Sequence, residues 1–224
     1  MSDFFVYLQK RHLLQTSRIS VVVMYCLRRM VIWALRLRYC RGFGVQSPWA
    51  YSFIRYVINE HYPYYAYEFL AGRYPEQSAL SHKLNLLYFR MANYLQPKVV
   101  VDCGLHTRLF AAYVNSGCKK ATLRVVNSDE SEKSVRDILN DLESVSMARF
   151  SPVTGVEKQY RALLDKITPE SIYVVEGIHT TKIGRRLWRE ILHDESTGVT
   201  FDLYYCGVVC FDRKKYRQNY IVNF

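Results

Sequence analysis

The chain is predicted to form an α/β domain on a mostly parallel sheet, led in by a basic helical extension. Beyond about residue 98, short apolar runs alternate with stretches of helical period. Strand–helix–strand units of that kind imply right-handed crossovers between parallel strands. Upstream, the apolar positions step by threes and fours, the period of helices. Half of the 224 residues are hydrophobic, enough for one packed core with some residues left for an appended segment.

Taken in order, Ile19, Val23, Cys26, Met30, Trp33 and Leu37 fall on one face of an opening helix with arginines on its flanks. Ser47 is a natural N-cap with Pro48 at the first helical position, and Phe53, Ile54, Val57 and Ile58 form the buried face behind it. A tyrosine-rich link over 62–67 leads to a helix from about Ser78 to Leu95, striped by Leu80, Leu84, Leu87, Met91 and Leu95 and ended by Pro97. Val99, Val100 and Val101 form an apolar run closed by Asp102-Cys103-Gly104, as in a strand covered on both faces. A helix (about 107–116), a strand (121–126) and an acid-opened helix from Ser128 or Asp129 to about Ser144 follow. Next come a weaker strand over Arg149–Thr154, a helix over Glu157–Lys166, a buried strand over Ile172–Val175 and a helix from about Thr181 to His193. The tail predicts two strands, Thr200–Phe211 and Tyr220–Phe224, joined by the basic turn Arg213-Lys214-Lys215. One strand closing the sheet is then antiparallel.

The net charge of +11 is concentrated at the front: residues 1–55 hold nine basic side chains and the single acid Asp3. Such a stretch attracts anionic partners or forms a solvated helix face. Arg28 and Arg29 interrupt the apolar segment from Ile19 to Cys40, and each would cost about 2.5–3.5 kcal/mol at the centre of a bilayer. A transmembrane helix is therefore not expected, nor a signal peptide. The six cysteines form no CxxC pair, and buried reduced thiols in a cytoplasmic protein, at most peripheral to a membrane, are the expectation. Met24 is a second candidate start beside Met1.

Strand–Asp-x-Gly–helix, a second strand and a terminal β-hairpin together resemble class I S-adenosylmethionine-dependent methyltransferases. The likeness runs from about residue 40 to 224 and is nearest a poorly characterised bacterial branch. Its motifs stand here as Gly44-Val45-Gln46-Ser47-Pro48, Pro63-Tyr64-Tyr65-Ala66-Tyr67-Glu68 and the aromatic end strand Asn219–Phe224. The resemblance implies a Rossmann-like core over 97–224, a helical lead-in over 41–96 and a basic amphipathic extension over 1–40. It also implies S-adenosylmethionine as cofactor, with a small-molecule or unknown methyl acceptor.

Carried over residue by residue, Asp102 and Gly104 form the cofactor turn, where glycine lets the backbone approach the ligand closely. The next expected glycine is Arg108, a long cation that either intrudes, grips the methionine carboxylate or points to solvent. Asn127 stands where an acid receives the ribose hydroxyls, so the charge-assisted part of that bond is gone. About 27 residues separate Ser144 from Ile172, too few for two strand–helix units when one βαβ unit takes about 30. The sheet is thus expected to be one strand–helix unit short, with the gap beside the active cleft.

Glu176 and His179, in Glu-Gly-Ile-His, are the candidate catalytic pair, able to take a proton from a methyl acceptor or to serve as capping residues. With one carboxylate at most, no metal is expected. His106 and Tyr62, Tyr64, Tyr65 and Tyr67 are lesser candidates, as loop ligand and stacking lid or as exposed and packing residues. Two functions stay open: a methyltransferase with reduced or lost activity, and a non-catalytic binding or scaffold protein whose basic N-terminal helices contact an anionic partner.

Overall fold

Alternate residues of the central strands feed two separate cores, one on each face of a single seven-stranded sheet. The computed structural model describes residues 24, 26–75, 77–105, 108–128 and 132–224. The first 23 residues, His106 and Asp129 lie outside that set.

Strands β1 (Val99–Gly104), β2 (Thr122–Asn127), β3 (Met147–Phe150), β4 (Ile172–Glu176), β5 (Thr200–Asp202), β6 (Cys206–Cys210) and β7 (Asn219–Ile221) are ordered β2-β1-β3-β4-β6-β5-β7. All run parallel except β6, which lies antiparallel between β4 and β5. The fold is Rossmann-like. Its topological switch point, where successive strands diverge to opposite sides, is the crevice between the carboxyl ends of β1 and β3.

The helices follow the sequence closely where their stripes are strong. They are α1 (26–35), α2 (Pro48–Phe53, continuing as a π-turn over Ile54–Ile58), α3 (Tyr65–Arg73), α4 (Ala79–Leu95), α5 (Arg108–Gly117), α6 (Glu132–Ile138), α7 (Val156–Leu164) and α8 (Lys182–His193). Ser47 caps α2 and Ser78 caps α4, each accepting a backbone N–H three residues on. At the far end of α4, Gln96 takes the left-handed conformation (φ 45°) just before Pro97. Its side-chain amide donates to the Asn93 carbonyl at 2.8 Å, which offsets part of the strain.

One face of the sheet carries α2, α4 and α5: Val100, Met147, Val174 and Val208 meet Phe53, Leu87, Met91 and Phe110. The other carries α6, α7 and α8, where Val101, Ala148, Tyr173 and Val209 meet Val135, Tyr160 and Trp188. Fully burying a side chain such as Leu87 stabilises the fold by about 1.5–3 kcal/mol.

Three expectations need correction. The predicted strand Thr200–Phe211 is two strands, β5 and β6, reversed at Tyr204, so the tail contributes three strands and not two. The acid-opened helix ends at Ile138 and not near Ser144. The missing unit does not border the cleft. Among the described residues β2 is an edge strand, so the strand that stands outside it in a six-stranded doubly wound sheet is the one without a counterpart.

Gly207, the second residue of β6, sits directly over the buried Trp188 ring, and a Cβ there would overlap the indole. Gly207→Ala is therefore expected to lower stability by about 1–3 kcal/mol, measured by urea denaturation. An unchanged midpoint would show that the α8 packing is looser than described.

Candidate functional site

Strand register decides what fills the switch-point crevice. Asp102 shares a face with Val100, Arg149 with Met147, and Glu176 with Val174, by the two-residue period of each strand. Asp102 lies directly opposite Arg149 across the β1–β3 ladder, and Arg149 opposite Val174 on β4. Three charged side chains thus converge on one face at the carboxyl ends of adjacent strands.

They form a closed network. Arg149 is 5% exposed and Asp102 fully buried. The guanidinium reaches Asp102 Oδ1 at 3.2 Å through Nη1 and Glu176 Oε1 at 2.9 Å through Nε. Its Nη2 donates to Ser151 Oγ at 2.9 Å and to the Leu105 carbonyl at 3.2 Å. The Tyr88 hydroxyl, from α4, donates to Glu176 Oε1 at 2.5 Å, and the Phe110 ring covers the guanidinium at 4.9 Å.

Burial alone would lower the Arg149 pKa, but Glu176, Tyr88 and Asp102 outweigh it and raise the value. Arg149 is a permanent cation. Burial, and then the Glu176 charge, pushes the Tyr88 phenol well above its ordinary value, so it remains a donor.

Gly104 has the expected left-handed conformation, at φ +100°. Its bare face, however, meets protein: a Cβ there would lie 2.7 Å from Val153 and 3.1 Å from Ser151. The turn needs glycine because the β3 exit loop packs on it. Arg108, expected either to intrude or to turn away, is exposed at the start of α5. Asn127 is exposed at the end of β2, and the buried Gln159 side chain on α7 donates to its carbonyl at 2.5 Å.

Glu176 and His179 have separate partners. While Glu176 serves the arginine, His179 Nε2 donates to Asp202 Oδ2 at 2.6 Å and its ring stacks on Tyr204 at 5.2 Å. Asp202 also holds Arg36 at 2.9 Å, and Arg28 reaches the Tyr204 hydroxyl at 3.1 Å. Arg28 and Arg36 therefore clip α1 and the residue after it onto the ends of β4 and β5. Burial by itself would raise the Asp202 pKa. Hydrogen bonding from His179, the Arg36 charge and the Tyr204 amide outweigh it and hold the carboxyl below its ordinary value.

Of the tyrosine link, Tyr64 and Tyr67 pack with Phe89 at 5.0 and 5.1 Å, whereas Tyr65 is 96% exposed. Among the described residues no three His, Cys, Asp or Glu side chains are grouped so as to share a cation, and no helix is long and apolar enough to cross a membrane. Sequence reasoning missed Arg149 as a site residue. Its signal was positional: a lone arginine among Met147, Ala148 and Phe150, in phase with an inward-facing methionine.

No protein family and no curated protein matches the chain in sequence. Solved structures with a similar backbone course include three methyltransferases. PaMTH1 of Podospora anserina, with bound S-adenosylhomocysteine, is 10% identical over 68% of this chain and 90% of its own, with a TM-score of 0.48. MycE of the mycinamycin biosynthetic pathway, with Mg and S-adenosylhomocysteine, is 13% identical over 70% and 50%, also at 0.48. The O-methyltransferase TomG of Streptomyces achromogenes, with S-adenosylmethionine, is 12% identical over 67% and 91%, at 0.45.

Two predictions arise here. Arg149→Met strands two carboxylates in a closed site and is expected to cost about 3–5 kcal/mol. The triple variant R149M/D102N/E176Q should regain much of that in denaturant titrations, and a loss under about 1 kcal/mol in R149M would contradict the pairing. For Asp202, the depressed folded-state pKa means its stabilisation is complete above the ordinary carboxylate value and fades as pH falls through the lower one. The stability gap between wild type and D202N should therefore shrink between about pH 7 and about pH 3. An equal gap at both would exclude a charged clip.

Proposed function

We propose that the chain is a methyltransferase-like protein that does not hold S-adenosylmethionine in the usual crevice and acts as a binding module. Its basic N-terminal side forms part of the contact surface for an anionic partner. The observation that supports this is Arg149. The crevice between β1 and β3, where open α/β sheets receive their ligands, is bridged by its guanidinium from Asp102 to Glu176 and to the Leu105 carbonyl.

The residues do not fit the cofactor. Asp102 is buried against an arginine, which leaves it poorly placed to accept from a ligand ammonium or hydroxyl. Gly104 faces Val153, and Asn127 brings no charge to a ribose. Glu176, the candidate base, is neutralised by Arg149 and hydrogen-bonded by Tyr88.

The alternative is an active methyltransferase with an atypical site. It draws support from the retained left-handed turn at Gly104 and from Arg108 standing out in solvent and not in the crevice.

Thermal denaturation with S-adenosylmethionine separates the two. A binder saturated at about 100-fold over its Kd gains about 2.7 kcal/mol, whereas the closed crevice predicts an unchanged Tm at millimolar cofactor. The variant R108G/N127E should stay equally unresponsive, because Arg149 is still in place. A Tm that climbs with the logarithm of cofactor concentration in wild type would overturn the proposal in favour of the enzyme.

A further inference from the structure

Away from the crevice, a cavity of about 820 Å³ opens between α1, the 59–63 link, α4 and the carboxyl end of the chain. That size suits a drug-sized ligand. Its α4 wall is one helical stripe, Lys83, Leu86 and Arg90, spaced by three and four residues. Opposite stand Arg29 and Trp33 of α1, and Tyr62 and Phe224 supply further aromatic wall.

The polar groups of this cavity lean one way. Arg29, Lys83 and Arg90 are cations, the last already donating to the Val57 and Ile58 carbonyls, and Glu60 is the acidic side chain of the lining, accepting from the Tyr64 hydroxyl at 3.0 Å. Among the described residues no carboxylate pairs with Lys83 or Arg29. The Lys83 ammonium rests over the Phe224 ring at 4.2 Å. Burial, then repulsion from Arg29, lowers its pKa to about 8, as expected of a cation with little water and no counter-ion. Asn59, also in the lining, has a buried side-chain NH2 that makes no hydrogen bond. A buried donor without an acceptor costs roughly 1–3 kcal/mol. The buried lining groups without a hydrogen bond, the Asn59 NH2 and the Tyr67 hydroxyl, can both donate, and the walls around them are aromatic and aliphatic.

We propose that this cavity binds a small organic anion with an apolar body, its carboxylate or phosphate head between Lys83, Arg29 and Asn59 and its body against Trp33, Tyr62 and Phe224. The assignment deepens the binding-module reading by naming the ligand class, and its geometry does not depend on the state of the crevice.

The test is fluorescence titration of the full chain with 8-anilinonaphthalene-1-sulfonate, an aromatic anion, followed by displacement with decanoate, phenyl phosphate and neutral decanol. Lys83→Met is expected to weaken the dye about tenfold or more. Lys83→Arg should retain most of the affinity, and Lys120→Met, an exposed lysine far along the chain, should change nothing. Decanoate or phenyl phosphate should displace the dye at concentrations where decanol does not. Equal dye affinity in wild type and K83M, or displacement by decanol as readily as by decanoate, would overturn the proposal. Should K83M be unfolded by circular dichroism, Asn59→Leu and Arg29→Met read the same site, and unchanged affinity in both overturns it. Co-sedimentation with phosphatidylglycerol vesicles that K83M abolishes, without displacement by the soluble anions, would assign the site to a lipid headgroup and also overturn the free-ligand assignment. S-adenosylmethionine is run in parallel by thermal shift. A shift there with intact dye behaviour would count against the closed crevice alone.

Discussion

A single buried arginine sets the terms for the rest of this molecule. Arg149 stands in the third strand of a parallel sheet, a position that in such folds is filled by aliphatic side chains. Removing its charge from water costs several kcal/mol, and the structure compensates with a carboxylate on each neighbouring strand, a hydroxyl and a carbonyl. Those partners are the very groups that stand at the mouth of the switch-point crevice. With the arginine inside, Asp102 and Glu176 are its ion-pair partners on the two neighbouring strands.

A second ionic cluster does different work at the same end of the sheet. Asp202 gathers Arg36, His179 and the Tyr204 amide, while Arg28 reaches the Tyr204 hydroxyl. Tyr204 itself adopts φ +71°, a conformation that costs a non-glycine residue about 1–3 kcal/mol and is offset here by its four neighbours. The N-terminal helix is thereby fixed over the carboxyl ends of the strands. Its other basic side chain, Arg29, turns toward the cavity against α4. Part of the charge that the sequence concentrates at the N-terminus is internal cement, and part faces a ligand-sized space.

Much of the architecture was legible because it rests on period. The α4 stripe, the apolar runs of β1 and β4 and the Ser47 cap are local patterns, and each stands where it was expected. What escaped depended on partners distant in sequence. The reversal between β5 and β6 carries no Gly, Pro or Asn; Asp202-Leu203-Tyr204-Tyr205 turns because Asp202 caps the strained tyrosine, and nothing in the local composition signals it. The third strand was expected over Arg149–Thr154 and runs over Met147–Phe150; arginine is seldom buried, and only the register with Asp102 shows why this one can be. Gly104 was legible as a necessary glycine, but the packing of Val153 and Ser151 against its bare face was not. The cavity beside Lys83 joins four segments far apart in the chain, and no single one of them announces it.

The claim that the crevice is sealed by its own side chains is tested most directly by hydrogen–deuterium exchange along segments 102–105 and 147–151. The network predicts slow exchange there in the protein alone and the same rates with millimolar S-adenosylmethionine. Rapid exchange that slows on adding the cofactor would mean that the crevice opens to receive it, and the account of Arg149 as its permanent occupant would fail.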